Sequence, residues 1–219
     1  AITAIWKDHY LQRLELQPLS LLETTRLVEH VLDGPVHSLC AQRLWQYTQG
    51  NALYLRHLLD SEVDAGRIAR QSGVWLWDGQ PELSPTLAEL IDARITQVPR
   101  RVQDVLDALA VTEPLDADIL MAVSDSDALA EAETLGLVRI DTSTRPGVVW
   151  LAHPLLGEIR RTGSLRLRRL RGRIATQLAR KGATDPRNLV RRAMLTVDSD
   201  LTPDPGALTA ATWAAMQLL

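Results

Sequence analysis

Apolar residues recur at three- and four-residue intervals along most of this chain, and only a few short stretches alternate. Leu14-Glu15-Leu16 alternates like a short strand and stops at Pro18. Ser20 then opens a helix, and Glu23, three residues on, completes a capping box. Leu21, Thr25, Val28 and Leu32 are predicted to form its apolar face, and Gly34-Pro35 its end. Cys40, Ala41, Leu44, Trp45 and Tyr47 predict a second helix, closed by Gly50-Asn51. Leu55, Leu58, Leu59 and Val63 predict a third, closed by Gly66. Ile68 to Trp77 reads as a hairpin turning at Ser72-Gly73. Ser84-Pro85 supplies an N-cap with proline in the first turn, ahead of Leu87, Leu90, Ile91 and Ile95.

A second unit begins near Pro99. Val102, Val105, Leu106 and Leu109 lie on one face of an amphipathic helix. Asp116 caps a short helix holding Ile119, Leu120 and Val123, and another runs from about Ser126 to Leu135. Leu137 to Asp141 and Val148 to Ala152 then read as two strands. Three helices followed by a hairpin is the order of a winged helix-turn-helix domain. The remainder is helical: Leu167, Leu170, Ile174 and Leu178, then Leu189, Ala193, Met194 and Val197, then Leu208, Ala211, Ala215 and Leu219. Such helix pairs suit the start of a superhelical array, although no repeat of about 34 residues is evident. The expected class is mainly α: a helical domain, a winged-helix domain with a small hairpin, and the start of a helical array.

Composition narrows this picture. The 219 residues contain no Phe and six Trp, and 46% are hydrophobic, enough for one or two cored domains. The single cysteine, Cys40, excludes an internal disulfide and suits a reducing, cytoplasmic setting. No apolar run approaches the roughly 18 residues of a membrane span, and Lys7-Asp8-His9 interrupts the only early apolar stretch. Ala1 to Trp6 reads like the inside of a structured element, so the chain is expected to be a piece of a longer protein. The only lysines are Lys7 and Lys181, and neither follows a glycine, so the chain holds no P-loop. Zinc-protease, serine-hydrolase and C-x-x-C signatures are also absent. No catalysis and no bound metal are expected of the chain itself.

Charge is unevenly spread. Residues 160–192 hold twelve of the 24 basic side chains and one acid, Asp185, while the whole chain carries −3. Arg168, Arg169, Arg171 and Arg173 flank the apolar stripe of one helix and are the candidates for phosphate or partner contact. The plainer reading is a solvated face paired with acids of the same chain. A third candidate surface is Trp213 with the alanine-rich positions around it, an exposed patch for docking or a local core filler.

One junction stands apart. The apolar strand Val148 to Ala152 runs into His153-Pro154 and then into a helix start, Leu155 to Arg161. A histidine there can donate to an anion and change charge near neutral pH, or simply be a satisfied strand-end residue.

Gly50-Asn51-Ala52-Leu53-Tyr54-Leu55 and His153-Pro154-Leu155-Leu156, in this order, resemble motifs of the large, MalT-like LuxR-family transcriptional regulators. Those proteins carry a signal-transduction (STAND, AAA-like) NTPase module. Leu14 to Ser20, Gly73-Val74-Trp75 and Glu133 to Val138 add shorter matches, and the similarity is densest from 14 to 163. The resemblance implies that residues 1–19 end a nucleotide-binding core. It implies a helical domain at 20–97, a winged-helix domain at 98–163 and the start of a helical sensor array at 164–219. It implies that His153, with Pro154, senses a phosphate of ADP, and that Gly50, Asn51 and Ala52 lie near the adenine. The family has proline where this chain has Ala52, so one apolar contact is lost. ATP or ADP would belong to the parent protein. Its partners would be the upstream NTPase core, the downstream helical and DNA-binding domains, and DNA through the latter. Self-association stays open. The implied role is a two-state switch coupling nucleotide state to transcription. The alternatives are direct nucleic-acid binding through the winged helix or residues 160–192, and a protein-interaction scaffold.

Overall fold

The structure, a computed structural model, describes residues 17–78, 82–143, 145–160, 165–182 and 185–218. The strand expected at Leu14 to Leu16, most of the 1–19 segment and Leu219 lie outside them. The described residues are mainly helical, with two small antiparallel sheets. The chain divides into two compact units, 1–80 and 81–219.

The first unit holds α1 (Leu21–Val31), α2 (Ser38–Thr48), α3 (Ala52–Asp64) and the hairpin β1 (Ile68–Gln71) with β2 (Val74–Trp77). The capping box forms as its spacing predicts: the Glu23 backbone N–H donates to Ser20 Oγ, and the Ser20 backbone N–H donates to Glu23 Oε2 at 2.8 Å. Thr24 and Val28 are the buried residues of α1, whereas Leu21 is 41% exposed. Helix α1 packs chiefly on α2 among the described elements of this unit. The helix stops where Asp33, not Gly34, turns left-handed at φ 48°. Ser72 and Gly73 both take positive φ, the geometry of a tight primed turn, and set the register Ile68↔Trp77 to Gln71↔Val74. The aliphatic core is Leu44, Leu55, Leu58, Leu59 and Ile68.

The second unit runs α4 (Pro85–Thr96), α5 (Arg100–Val111), β3 (Leu115–Asp116), α6 (Ala117–Val123), α7 (Ser126–Thr134), β4 (Val138–Asp141), β5 (Val148–Leu151), α8 (Pro154–Arg160), α9 (Leu165–Arg180), α10 (Pro186–Val197) and α11 (Pro205–Met216). Helix α5 is its spine. Val102, Val105, Leu106 and Leu109 are fully buried, each stabilising the fold by about 1.5–3 kcal/mol. They face α6, α7, α8, α9 and β5. The sheet order is β3-β5-β4, all antiparallel, with Val138↔Leu151 and Arg139↔Trp150 in register. Strand β3, two residues long, carries no periodicity to predict it. Asp116 holds the N-cap position of α6, but its side chain makes no capping bond. It accepts from Lys181 Nζ at 2.6 Å instead.

The stripe Leu167, Leu170, Ile174 and Leu178 is buried as its spacing requires. Beyond it the expected faces shift. Leu195 is the buried residue of α10, while Met194 and Val197 are exposed. Helix α11 buries Ala211 and Ala214, and Trp213 is 64% exposed. Among the described residues no helix is long and apolar enough to cross a membrane.

Candidate functional site

Strand β5 delivers His153. The strand ends at Leu151, and the Ala152 N–H donates to Leu137 O at 2.9 Å, fixing the exit from the sheet. His153 O then accepts from Leu156 N at 3.0 Å, which starts α8. Pro154 suits the first turn because its fixed φ is already helical and its missing N–H would have no helical acceptor there. Leu155, Leu156 and Gly157 are buried, so α8 is anchored and the imidazole is carried on a rigid joint.

His153 is half-buried, with its Nδ1 shut off from solvent. Burial pushes its pKa down, and the guanidiniums of Arg94 and Arg139 push the same way. Arg94 comes from the last turn of α4, and Arg139 from β4, opposite Trp150. Three basic groups therefore act on one another here. Sequence reading found only His153, because Arg94 and Arg139 sit 59 and 14 residues away and share no motif with it.

The sign of the pH effect follows. Unfolding returns His153 to its ordinary pKa of about 6.5, so the unfolded chain takes the proton more readily. The stability His153 contributes is complete above that value and is lost as pH falls through it towards the folded pKa. His153→Gln is expected to lose less stability than the wild type as pH falls from about 7.5 to about 5. Urea midpoints across that range check this, and parallel curves for the two proteins exclude it.

In the first unit, Gly50 takes φ 74° and its carbonyl accepts from Leu19 N at 2.9 Å. Asn51 caps α3, its Oδ1 accepting from Leu53 N at 3.0 Å and Tyr54 N at 3.2 Å. Ala52, the first residue of α3, is exposed. Gly50 and Asn51 thus have clear roles in turning α2 into α3.

Part of the basic stretch is consumed within the second unit. Arg160 pairs with Asp107 at 3.3 Å. Arg166 bridges Asp104 and Asp107, and Lys181 bridges Asp116 and Asp118. Burial raises the Asp107 pKa, against the pull of Arg160 and Arg100. Arg191 Nη1 donates to Pro114 O at 2.7 Å. Of the four candidates, Arg168 donates to Ser199 O at 2.9 Å, and Arg171 lies half-buried in a groove with Arg187 and Arg191. Arg169 and Arg173 remain exposed. Among the described residues no group of three His, Cys, Asp or Glu side chains could hold a metal ion.

No family model and no curated protein matches the chain. Among solved structures, it is similar to a signal transduction ATPase with numerous domains (STAND) protein with a tetratricopeptide repeat sensor, from Pyrococcus horikoshii. The identity is 14% and the TM-score 0.45, over 84% of this chain. The chain spans 25% of that structure's length. At this level the likeness assigns neither a family nor an activity.

Proposed function

We propose that the chain is the regulatory portion of a LuxR-type signal-transduction regulator. It would couple the nucleotide state of an adjoining NTPase core to transcription control, with no catalysis of its own. The observation that carries this reading is the half-buried His153 on the joint from β5 to α8, whose pKa is lowered by burial and by the charges of Arg94 and Arg139. An imidazole whose pKa is lowered by burial and by two cations takes a proton more readily when an anion arrives, since the anion offsets both effects. That is a differential contact between a phosphate-bound and a phosphate-free state, which a switch requires.

The second unit supports the reading. The order α5-β3-α6-α7-β4-β5, with β5 between β3 and β4, suits a winged-helix domain at 98–163. Helices α9 to α11 suit the start of a sensor array. Support from Gly50-Asn51-Ala52 is weaker, because Asn51 Oδ1 is spent on the cap of α3. Direct nucleic-acid binding through residues 160–192 would draw on fewer cations than the sequence suggests, since Arg160, Arg166 and Lys181 are already paired with carboxylates.

A charge-assisted hydrogen bond from His153 to phosphate is worth about 1.5–3 kcal/mol. In the longer protein with its P-loop core, His153→Ala is therefore expected to weaken ADP binding about ten-fold or more. Calorimetric titration with ADP reads this. Unchanged ADP affinity together with unchanged basal reporter activity overturns the role. Clear ATP turnover by the pure chain overturns the whole reading.

A further inference from the structure

Helix α9 carries more cationic groups than the fold consumes. Arg166 and Arg168 are committed to Asp104, Asp107 and the Ser199 carbonyl. Arg169 and Arg173 have no ion pair or hydrogen bond among the described residues. They stand four positions apart on one helix face, where like charges repel.

Both line a cavity of about 570 Å³ between α9, α6 and α5. Its apolar wall is Val123, Leu165 and Leu170, and Arg166 completes the basic side. The volume falls within the roughly 300–1,000 Å³ of small-ligand sites. Asp104 also borders it, but that carboxylate is engaged by Arg166 and, at 3.5 Å, by Arg100. It therefore does not cancel Arg169 and Arg173.

We infer that this cavity binds a small organic anion, a phosphate or carboxylate carried on an apolar body. The two guanidiniums supply forked N–H donors that match an oxyanion. Binding relieves their mutual repulsion, and Val123, Leu165 and Leu170 cover the apolar body. A nucleic-acid strand fits less well: the basic groups border a concave pocket, and among the described residues no aromatic side chain lines it for base stacking. The inference is independent of the role given to His153.

The test is an NMR titration of the whole chain with phenyl phosphate, beside a matched titration with inorganic phosphate. Affinity of about millimolar is expected for so small a probe, tighter than for inorganic phosphate because of the apolar wall. The double variant Arg169→Gln/Arg173→Gln is expected to lose about ten-fold or more, while Arg187→Gln, outside the cavity, retains binding. The double variant should melt no lower than the wild type, which separates a lost contact from a lost fold. Three results overturn the inference. One is no binding by the wild type, and another is equal affinity in the double variant. The third is salt-sensitive binding of duplex DNA that phenyl phosphate does not displace.

Discussion

Glu62→Ala is expected to destabilise the first unit by about 3–5 kcal/mol. The carboxylate is fully buried on α3. It accepts a forked pair of bonds from Arg67, Nε to Oε2 at 2.8 Å and Nη2 to Oε1 at 2.9 Å. Trp77 Nε1 donates to the same Oε2 at 2.9 Å. The Arg43 guanidinium stacks 4.5 Å from the Trp77 ring centre and donates to the Trp77 carbonyl at 3.0 Å. The Tyr47 ring also packs against Trp77, their ring centres 5.8 Å apart. Glu62 thus joins α3 to strand β2 through Trp77. Truncation removes the acceptor shared by a mostly buried guanidinium and an indole N–H, and losing a buried partner costs far more than the pair itself contributes. Tryptophan fluorescence under urea reads the loss. The double variant Glu62→Leu/Arg67→Met should recover much of it, because an apolar pair of similar volume removes the uncompensated charge. A Glu62→Ala midpoint equal to the wild type shows that the pair carries no stability.

Glu62 also shows where the sequence stops being readable. Leu55, Leu58 and Leu59 marked the buried face of α3, and the structure keeps them buried. Glu62 continues that face, at i+4 from Leu58, yet an acid at such a position looks like a solvated flank until Arg67 and Trp77 are seen to satisfy it. Local signals were legible throughout: the Ser20/Glu23 capping box, the Ser72-Gly73 turn and the Ser84-Pro85 start depend on neighbours a few residues away. Long-range pairing was not. Asp116 reads as a cap, and its partner Lys181 is 65 residues on. The charges of Arg94 and Arg139 act on His153 from α4 and β4, far from it in sequence. The basic stretch on α9 read as one uniform face. The fold divides it into the committed Arg166 and Arg168 and a remainder without ion pairs among the described residues, of which Arg169 and Arg173 share one cavity.

Gly50→Ala is expected to cost about 3 kcal/mol or more, and the comparison with Gly66→Ala gives the reason. Both glycines have left-handed φ, 74° and 70°. At Gly66 an added Cβ meets nothing within 4 Å, so the cost is the left-handed conformation alone, about 1 kcal/mol. At Gly50 the Cβ would lie 2.1 Å from Leu19 O and 2.7 Å from Leu19 N. Those are backbone atoms, and they are held: Leu19 N donates to Gly50 O at 2.9 Å, and Trp45 Nε1 donates to Leu19 O at 3.0 Å. Relief of the clash must move the Leu19 backbone and strain or break both bonds. Chemical denaturation of the two variants separates the terms. A cost at Gly50 well above that at Gly66 means that glycine is required by the close approach of the chain entering α1. Equal costs mean that the approach is loose, and the glycine of the Gly50-Asn51-Ala52 motif would then need another reason, of which contact with a nucleotide is the one its resemblance supplies.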